Sequence, residues 1–201
     1  LSKRLGTLSL RDLKAAGIEP MAILSLMARL GSSQPVELRQ TPAEVIEGFD
    51  IATFGSAPTK FDPADLEPLT ARWLSQQPLS EVAEDVAAAG VPDDLAEAFW
   101  AVVRENLKTR ATIAEWWAVF RDGRAGRAEP EDAEFVAQAL GLLGDAPYGP
   151  ETWKQWTDAV KAETGRKGRG LFLPLRRAVT GMDHGPEMAD VMTLMRVKPQ
   201  V

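Results

Sequence analysis

The chain contains no cysteine, so disulfides and thiolate metal sites are excluded, and a reducing compartment is compatible with the composition. It has a single histidine, His184. A histidine-based metal cluster is therefore excluded, and a Ser-His-Asp triad would hang on that one residue. No run of about 18 apolar residues occurs, so no membrane-spanning helix is expected. Sustained alternation, β-branched runs and Asn-Gly hairpin turns are also lacking, which leaves little room for strands. Finally, Leu1 stands where an initiator methionine would. The opening Leu1-Ser2-Lys3-Arg4-Leu5-Gly6 is basic and hydroxyl-bearing, without the apolar stretch that a secretory signal would place next. The expectation is a chain that opens inside a larger one, on a loop that handles phosphate.

What is present is a 201-residue chain with 45% hydrophobic residues and a formal charge of −6, enough to build a real core. The acidic balance argues against a generic nucleic-acid binder. Screening confines charge effects to about 8 Å at physiological salt, however, so local patches can override the average. A globular, cytoplasmic protein is expected.

Helix punctuation dominates. Ser9 with Asp12 reads as a capping box, with Gly17 as the stop; Pro20 opens the apolar run from Met21 to Leu30, closed by Gly31. Thr41-Pro42-Ala43-Glu44, Asp62-Pro63, Asp93, Thr112 with Glu115, Glu129-Pro130, Pro150-Glu151 and Gly185-Pro186 mark further starts. Leu95, Phe99 and Val102 fall on one face. The sequence thus predicts an all-α fold of eight to ten helices. Linkers are expected at Gly31–Thr41, Gln76–Ser80 and Asp122–Pro130, and the last two predict three units: 1–78, 79–128 and 129–201.

Two groups of residues bear on chemistry. Of the six tryptophans, Trp116 and Trp117 are adjacent on a helix and are not expected both to face a core. Trp153 and Trp156, three apart, are expected to pack inward, although base stacking is open to aromatics in general. The basic residues are more telling. Lys161, Arg166, Lys167, Arg169, Arg176 and Arg177 stand against one acid, Glu163, so this stretch carries a net +5 within a chain of net −6. Gly165, Gly168 and Gly170 loosen the backbone there for close approach to a phosphodiester. The stretch reads either as a solvated basic loop or as an RNA contact. Ser2-Lys3-Arg4 adds a second cationic loop, in which a lysine can act as a point charge on a polyphosphate.

Leu1-Ser2-Lys3-Arg4-Leu5-Gly6 resembles the end of the KLSKR-type signature of bacterial glutamyl-tRNA synthetases, a class I family. The Leu13-Lys14-Ala15-Ala16-Gly17-Ile18-Glu19-Pro20-Met21-Ala22 segment, Phe49-Asp50-Ile51, Ser56-Ala57-Pro58 and Phe61-Asp62-Pro63 resemble the family as well. So does the ordered run from Lys167-Gly168-Arg169-Gly170-Leu171-Phe172 through Pro174-Leu175-Arg176-Arg177-Ala178-Val179-Thr180-Gly181 to His184-Gly185-Pro186-Glu187. The resemblance covers essentially the whole chain. It implies a stem-contact region over 1–78 and two helical anticodon-binding domains over 79–128 and 129–201, with the catalytic domain outside this chain and the chain alone inactive.

By the same resemblance, Lys3 matches a lysine that stabilises the phosphates of ATP during adenylation, with Ser2 and Arg4 shaping that loop. ATP and Mg2+ belong to the full-length enzyme, and none is expected on this chain. Arg110 resembles an arginine that reads the third anticodon base, where a guanidinium can offer paired donors to cytosine; its alternative is to support a helix start at Thr112. Lys167, Arg169, Arg176, Arg177, Gly185 and Met188 are implied as tRNA-binding residues. The implied partners are tRNA(Glu), with tRNA(Gln) left open beside it, no DNA, no membrane and a monomeric chain. Thr70 stands where the family often has asparagine, and Met195 to Val201 replaces a longer C-terminal helix. Two other readings stay open: a stand-alone all-α interaction scaffold anchored by tryptophans, and a hydrolase built on Asp183-His184.

Overall fold

The computed structural model describes residues 9–201. Eleven α-helices account for most of them: α1 (Leu10–Ala15), α2 (Pro20–Met27), α3 (Pro42–Glu47), α4 (Leu66–Ser75), α5 (Ala83–Ala88), α6 (Asp93–Val103), α7 (Thr112–Asp122), α8 (Ala133–Leu142), α9 (Thr152–Thr164), α10 (Arg169–Thr180) and α11 (Met188–Leu194). Among the described residues, the only β feature is one isolated antiparallel bridge, Ser32 to Phe54. The all-α expectation holds. Two helices beyond the expected starts appear, α5 and α10, neither of which is announced by a Pro or a hydroxyl cap.

The caps form for local reasons. Ser9 Oγ accepts from the Asp12 N–H at 3.2 Å, and the Asp12 carboxylate accepts from the Ser9 N–H at 2.8 Å, so two orphan donors at the start of α1 are satisfied reciprocally. At α3, Thr41 Oγ1 accepts from the Glu44 N–H, but the Glu44 carboxylate accepts from the Gln40 N–H, one residue upstream. The start marked by Thr112 and Glu115 is built differently. The Thr112 hydroxyl donates back to the Thr109 carbonyl at 2.6 Å, and α7 already includes Thr112.

The chain divides into two compact units. One holds the chain up to Val82 together with Arg104–Thr112, and the other holds Ala83–Val103 with Ile113–Val201. In the first, Leu13, Ala22, Leu26 and Leu66 form the core, with Ile18, Ile23, Phe61 and Leu69 packed against it. Thr70 is fully buried, and its hydroxyl accepts from the Glu19 N–H at 3.2 Å. That donor is otherwise an orphan at the N-cap of α2.

The second unit is built around aromatics. Trp116 and Trp117 are both 3% exposed, which corrects the expectation that one would face solvent. Adjacent helical residues diverge by about 100°, but α7 is covered on both sides. Phe99 meets Trp117 edge-on at 5.8 Å, while Trp116 stacks over Phe120 at 6.0 Å. Trp156 is buried and donates its Nε1–H to the Ala139 carbonyl at 2.8 Å. Trp153 is only half-buried.

The stretch expected to be a linker between Asp122 and Pro130 is tied down instead. The Arg127 N–H donates to the Arg177 carbonyl at 2.9 Å, and the Gln200 N–H donates to the Gly123 carbonyl at 2.7 Å. A Cβ at Gly126 would collide with the Ala178 carbonyl oxygen. The segment therefore packs as a strap across α10.

Candidate nucleic-acid interface

The basic stretch from Lys161 to Arg177 is largely helical rather than a loop. Gly165 (φ 70°) caps the C-terminus of α9 in the left-handed region, where glycine carries no Cβ penalty. Gly168 (φ 54°) is the N-cap of α10, so only residues 165–168 run irregularly. Glycine interleaving thus marks the two ends of adjoining helices. Pro174 lies inside α10, where it leaves one carbonyl of the first turn without its N–H partner. Arg166 Nη1 donates to that carbonyl, Gly170 O, at 3.3 Å.

Five of the six cations separate by role. The Arg166 guanidinium lies 3.9 Å over the Phe135 ring and pairs with Asp132 at 2.5 Å. Arg177 grips Asp183 with two parallel bonds, Nε at 2.7 Å and Nη2 at 2.8 Å, the bidentate geometry that favours arginine. Arg127 Nη2 donates to the same carboxylate at 2.8 Å, and Glu129 approaches Arg177 at 3.6 Å. The hydrogen bonds from Arg177, with those from Arg127, hold the Asp183 carboxyl well below the usual carboxylate range; the same bonding raises Arg177. These contacts fix the loop after α10 to the strap.

Lys167 and Arg169, by contrast, are exposed and have no ion-pair partner among the described residues. Arg169, Phe172, Leu173 and Arg176 recur at i, i+3, i+4 and i+7, one face of α10. With Asp183 and His184 they line an open cleft of about 310 Å³. Arg176 Nη1 donates to the Pro186 carbonyl at 3.0 Å, which aims the side chain along the cleft. Gly185 (φ 153°) permits this close approach, since a Cβ there would sit 3.2 Å from Trp116 Cη2 and 3.4 Å from Arg176 Nη1. Met188 is only 3% exposed, packed into the core at the start of α11. Phe172, which sequence reasoning passed over, is 46% exposed on the cationic face. Its spacing from Arg169 and Arg176 was the available signal, hidden while the stretch was read as a loop.

Arg110 belongs to the first unit. Its Nε donates to the Glu19 carboxylate at 2.6 Å and its Nη1 to the Glu81 carbonyl at 3.0 Å, and the guanidinium lies 5.6 Å over the Trp73 ring. Glu19 is itself buried. Arg110 thus has a fixed direction, set by a partner 91 residues away in sequence. Ser2, Lys3 and Arg4 lie outside the described residues. Among the described residues no group of three acidic, histidine or cysteine side chains could hold a metal ion, and no helix is long and apolar enough to cross a membrane. Asp183 is committed to two arginines rather than to His184, so the geometry of a hydrolytic dyad is not formed.

Residues 79–196 match the anticodon binding domain family. Over 99% of its length the chain is 64% identical to glutamate–tRNA ligase 2 of Dinoroseobacter shibae and 63% identical to glutamate–tRNA ligase 2 of Jannaschia sp., covering 45% and 44% of those proteins. The crystal structure of glutamate–tRNA synthetase from Elizabethkingia anophelis superposes with a TM-score of 0.63 at 17% identity, over 96% of this chain and 41% of that one. The chain spans slightly less than half the length of the curated relatives it matches. The chain therefore belongs to the anticodon binding domain family, and its similarity is to the C-terminal part of glutamate–tRNA ligases.

Proposed function

We propose that this chain is the tRNA-recognising part of a glutamate–tRNA ligase, an enzyme that attaches glutamate to tRNA(Glu) at the expense of ATP. Residues 1–78 would meet the stem of the tRNA; 79–128 and 129–201 would meet its anticodon arm. ATP and Mg2+ would act in the remainder of the enzyme, with Ser2, Lys3 and Arg4 contributing one edge of the nucleotide site. The observation that carries this reading is the exposed cationic face of α10, inside the segment that matches an anticodon-binding family, in a chain of net charge −6. Lys167, Arg169 and Arg176 are the phosphate-facing candidates. Arg177 serves by holding the Asp183 loop, and Gly185 by letting that loop lie beside Arg176. The buried Trp116 and Trp117 remove the exposed anchors on which an interaction scaffold would depend.

The test is the salt dependence of tRNA(Glu) binding by the chain. Neutralising two or three phosphates gives a slope of log affinity against log salt of about −1.4 to −2.7. A flat line or no binding would refute the reading. Arg110 is assigned to the third anticodon base, its direction set by Glu19. Arg110→Ala in the full-length ligase is expected to lower charging of tRNA(Glu) relative to tRNA(Gln). An unchanged ratio with a lowered melting temperature would leave Arg110 a packing role alone.

A further inference from the structure

The core-facing positions of α10 are Leu171, Pro174, Leu175, Ala178 and Val179, all buried. Phe172 points away from them and leaves 46% of its surface in solvent. Its nearest aromatic neighbour is the half-buried Trp153, with ring centroids 6.4 Å apart and planes inclined at 37°, so Trp153 backs the phenyl ring without covering it. A single exposed apolar residue is ordinary on a protein surface and by itself carries nothing. Here the exposed ring sits between two arginines, three residues after Arg169 and four before Arg176. All three lie along one cleft that His184 also lines. An exposed ring flanked by guanidinium groups, with the exposed Lys167 two residues before Arg169, matches how proteins hold unpaired bases. Aromatics and arginine planes take the base, and the remaining cations track the backbone. Asp183, the one acid that lines the cleft, is already paired with Arg177 and Arg127, so Arg169 and Arg176 leave the cleft an excess of positive charge, and that charge selects RNA over an apolar protein partner.

We infer that Phe172, backed by Trp153 and flanked by Arg169 and Arg176, is a stacking platform for an unpaired base of the bound tRNA. The inference rests on the tRNA-binding reading above and goes beyond it, by assigning an apolar contact that the cationic pattern does not contain. A stacked base and a neutralised phosphate leave different signatures. Losing the ring removes affinity without changing the number of counterions released. Losing an arginine flattens the salt dependence.

The experiment measures binding of a tRNA(Glu) transcript to the 201-residue chain across a salt series, for wild type, Phe172→Leu, Phe172→Tyr and Arg169→Gln. Phe172→Leu keeps an apolar side chain on an exposed site and is expected to melt with the wild type. It should bind roughly 5- to 140-fold more weakly at every salt concentration, with the slope unchanged. Phe172→Tyr, which keeps the ring, should restore binding. Arg169→Gln should flatten the slope by about 0.7 to 0.9. Phe172→Leu binding within twofold of wild type, while Arg169→Gln flattens the slope, would overturn the stacking platform and leave the tRNA reading standing. A loss in Phe172→Leu that Phe172→Tyr fails to rescue would also overturn it, since the effect would then come from helix packing. No salt-dependent binding by the wild type would overturn both.

Discussion

Gly126→Ala tests whether the segment between Asp122 and Pro130 is a packed strap or a free linker. A methyl group at this position would be driven into the Ala178 carbonyl, 2.9 Å from its carbon and 3.0 Å from the Gln200 carbonyl oxygen. All of these are backbone atoms, and Ala178 is itself fully buried in α10, so no side chain can swing aside to make room. The strap must lift. Overpacking of this kind costs about 1–3 kcal/mol, and the adjacent bond from the Arg127 N–H to the Arg177 carbonyl contributes about 1 kcal/mol more if it breaks. The sum is about 2–4 kcal/mol. At about 2–4 °C per kcal/mol for a chain of this size, the melting temperature should fall by about 4–16 °C. Gly141→Ala is the matched control: it lies inside α8 with nothing within 4 Å of the added carbon, and should stabilise by about 0.4–1 kcal/mol. Both are read by thermal unfolding followed by circular dichroism. A Gly126→Ala variant that melts within about 1 °C of wild type would refute the strap and restore the linker.

Two further perturbations follow from the same geometry. Asp183 has its folded-state pKa lowered by the hydrogen bonds from Arg177 and Arg127, so its stabilisation is fully present above about pH 4 and is lost as the pH falls below the ordinary carboxylate range. The gap in melting temperature between wild type and Asp183→Asn should therefore narrow between pH 5 and pH 2, and a gap constant over that range would contradict the assignment. Thr70→Val removes the hydroxyl that accepts from the buried Glu19 N–H, leaving an unpaired donor at the start of α2. Urea unfolding should show a loss of about 1–3 kcal/mol, and equal stability would mean that the donor finds another partner.

The helix starts at Ser9, Pro20, Thr41 and Asp93 were legible because a cap or a first-turn proline acts within three or four residues, and local chemistry suffices. Helix α10 was not legible for the converse reason. Its sequence carries Gly170 and Pro174, both helix-disfavouring, and it persists because Leu171, Leu175 and Val179 are buried in the unit and because Arg166 supplies a donor to the carbonyl that proline cannot serve. Misreading α10 as a loop hid the i, i+3, i+4, i+7 face on which Arg169, Phe172, Leu173 and Arg176 converge.

The sequence by itself determined the all-α class, most helix starts, the cationic stretch and the family. Each of these is written in short-range spacing or in residues met in order. Tertiary structure alone decided which cations are available. Arg166 and Arg177 look like Lys167 and Arg169 in sequence, yet Asp132 and Asp183 engage the first two across separations of 34 and 6 residues. Such pairings depend on where folding brings a carboxylate, and no local spacing encodes that.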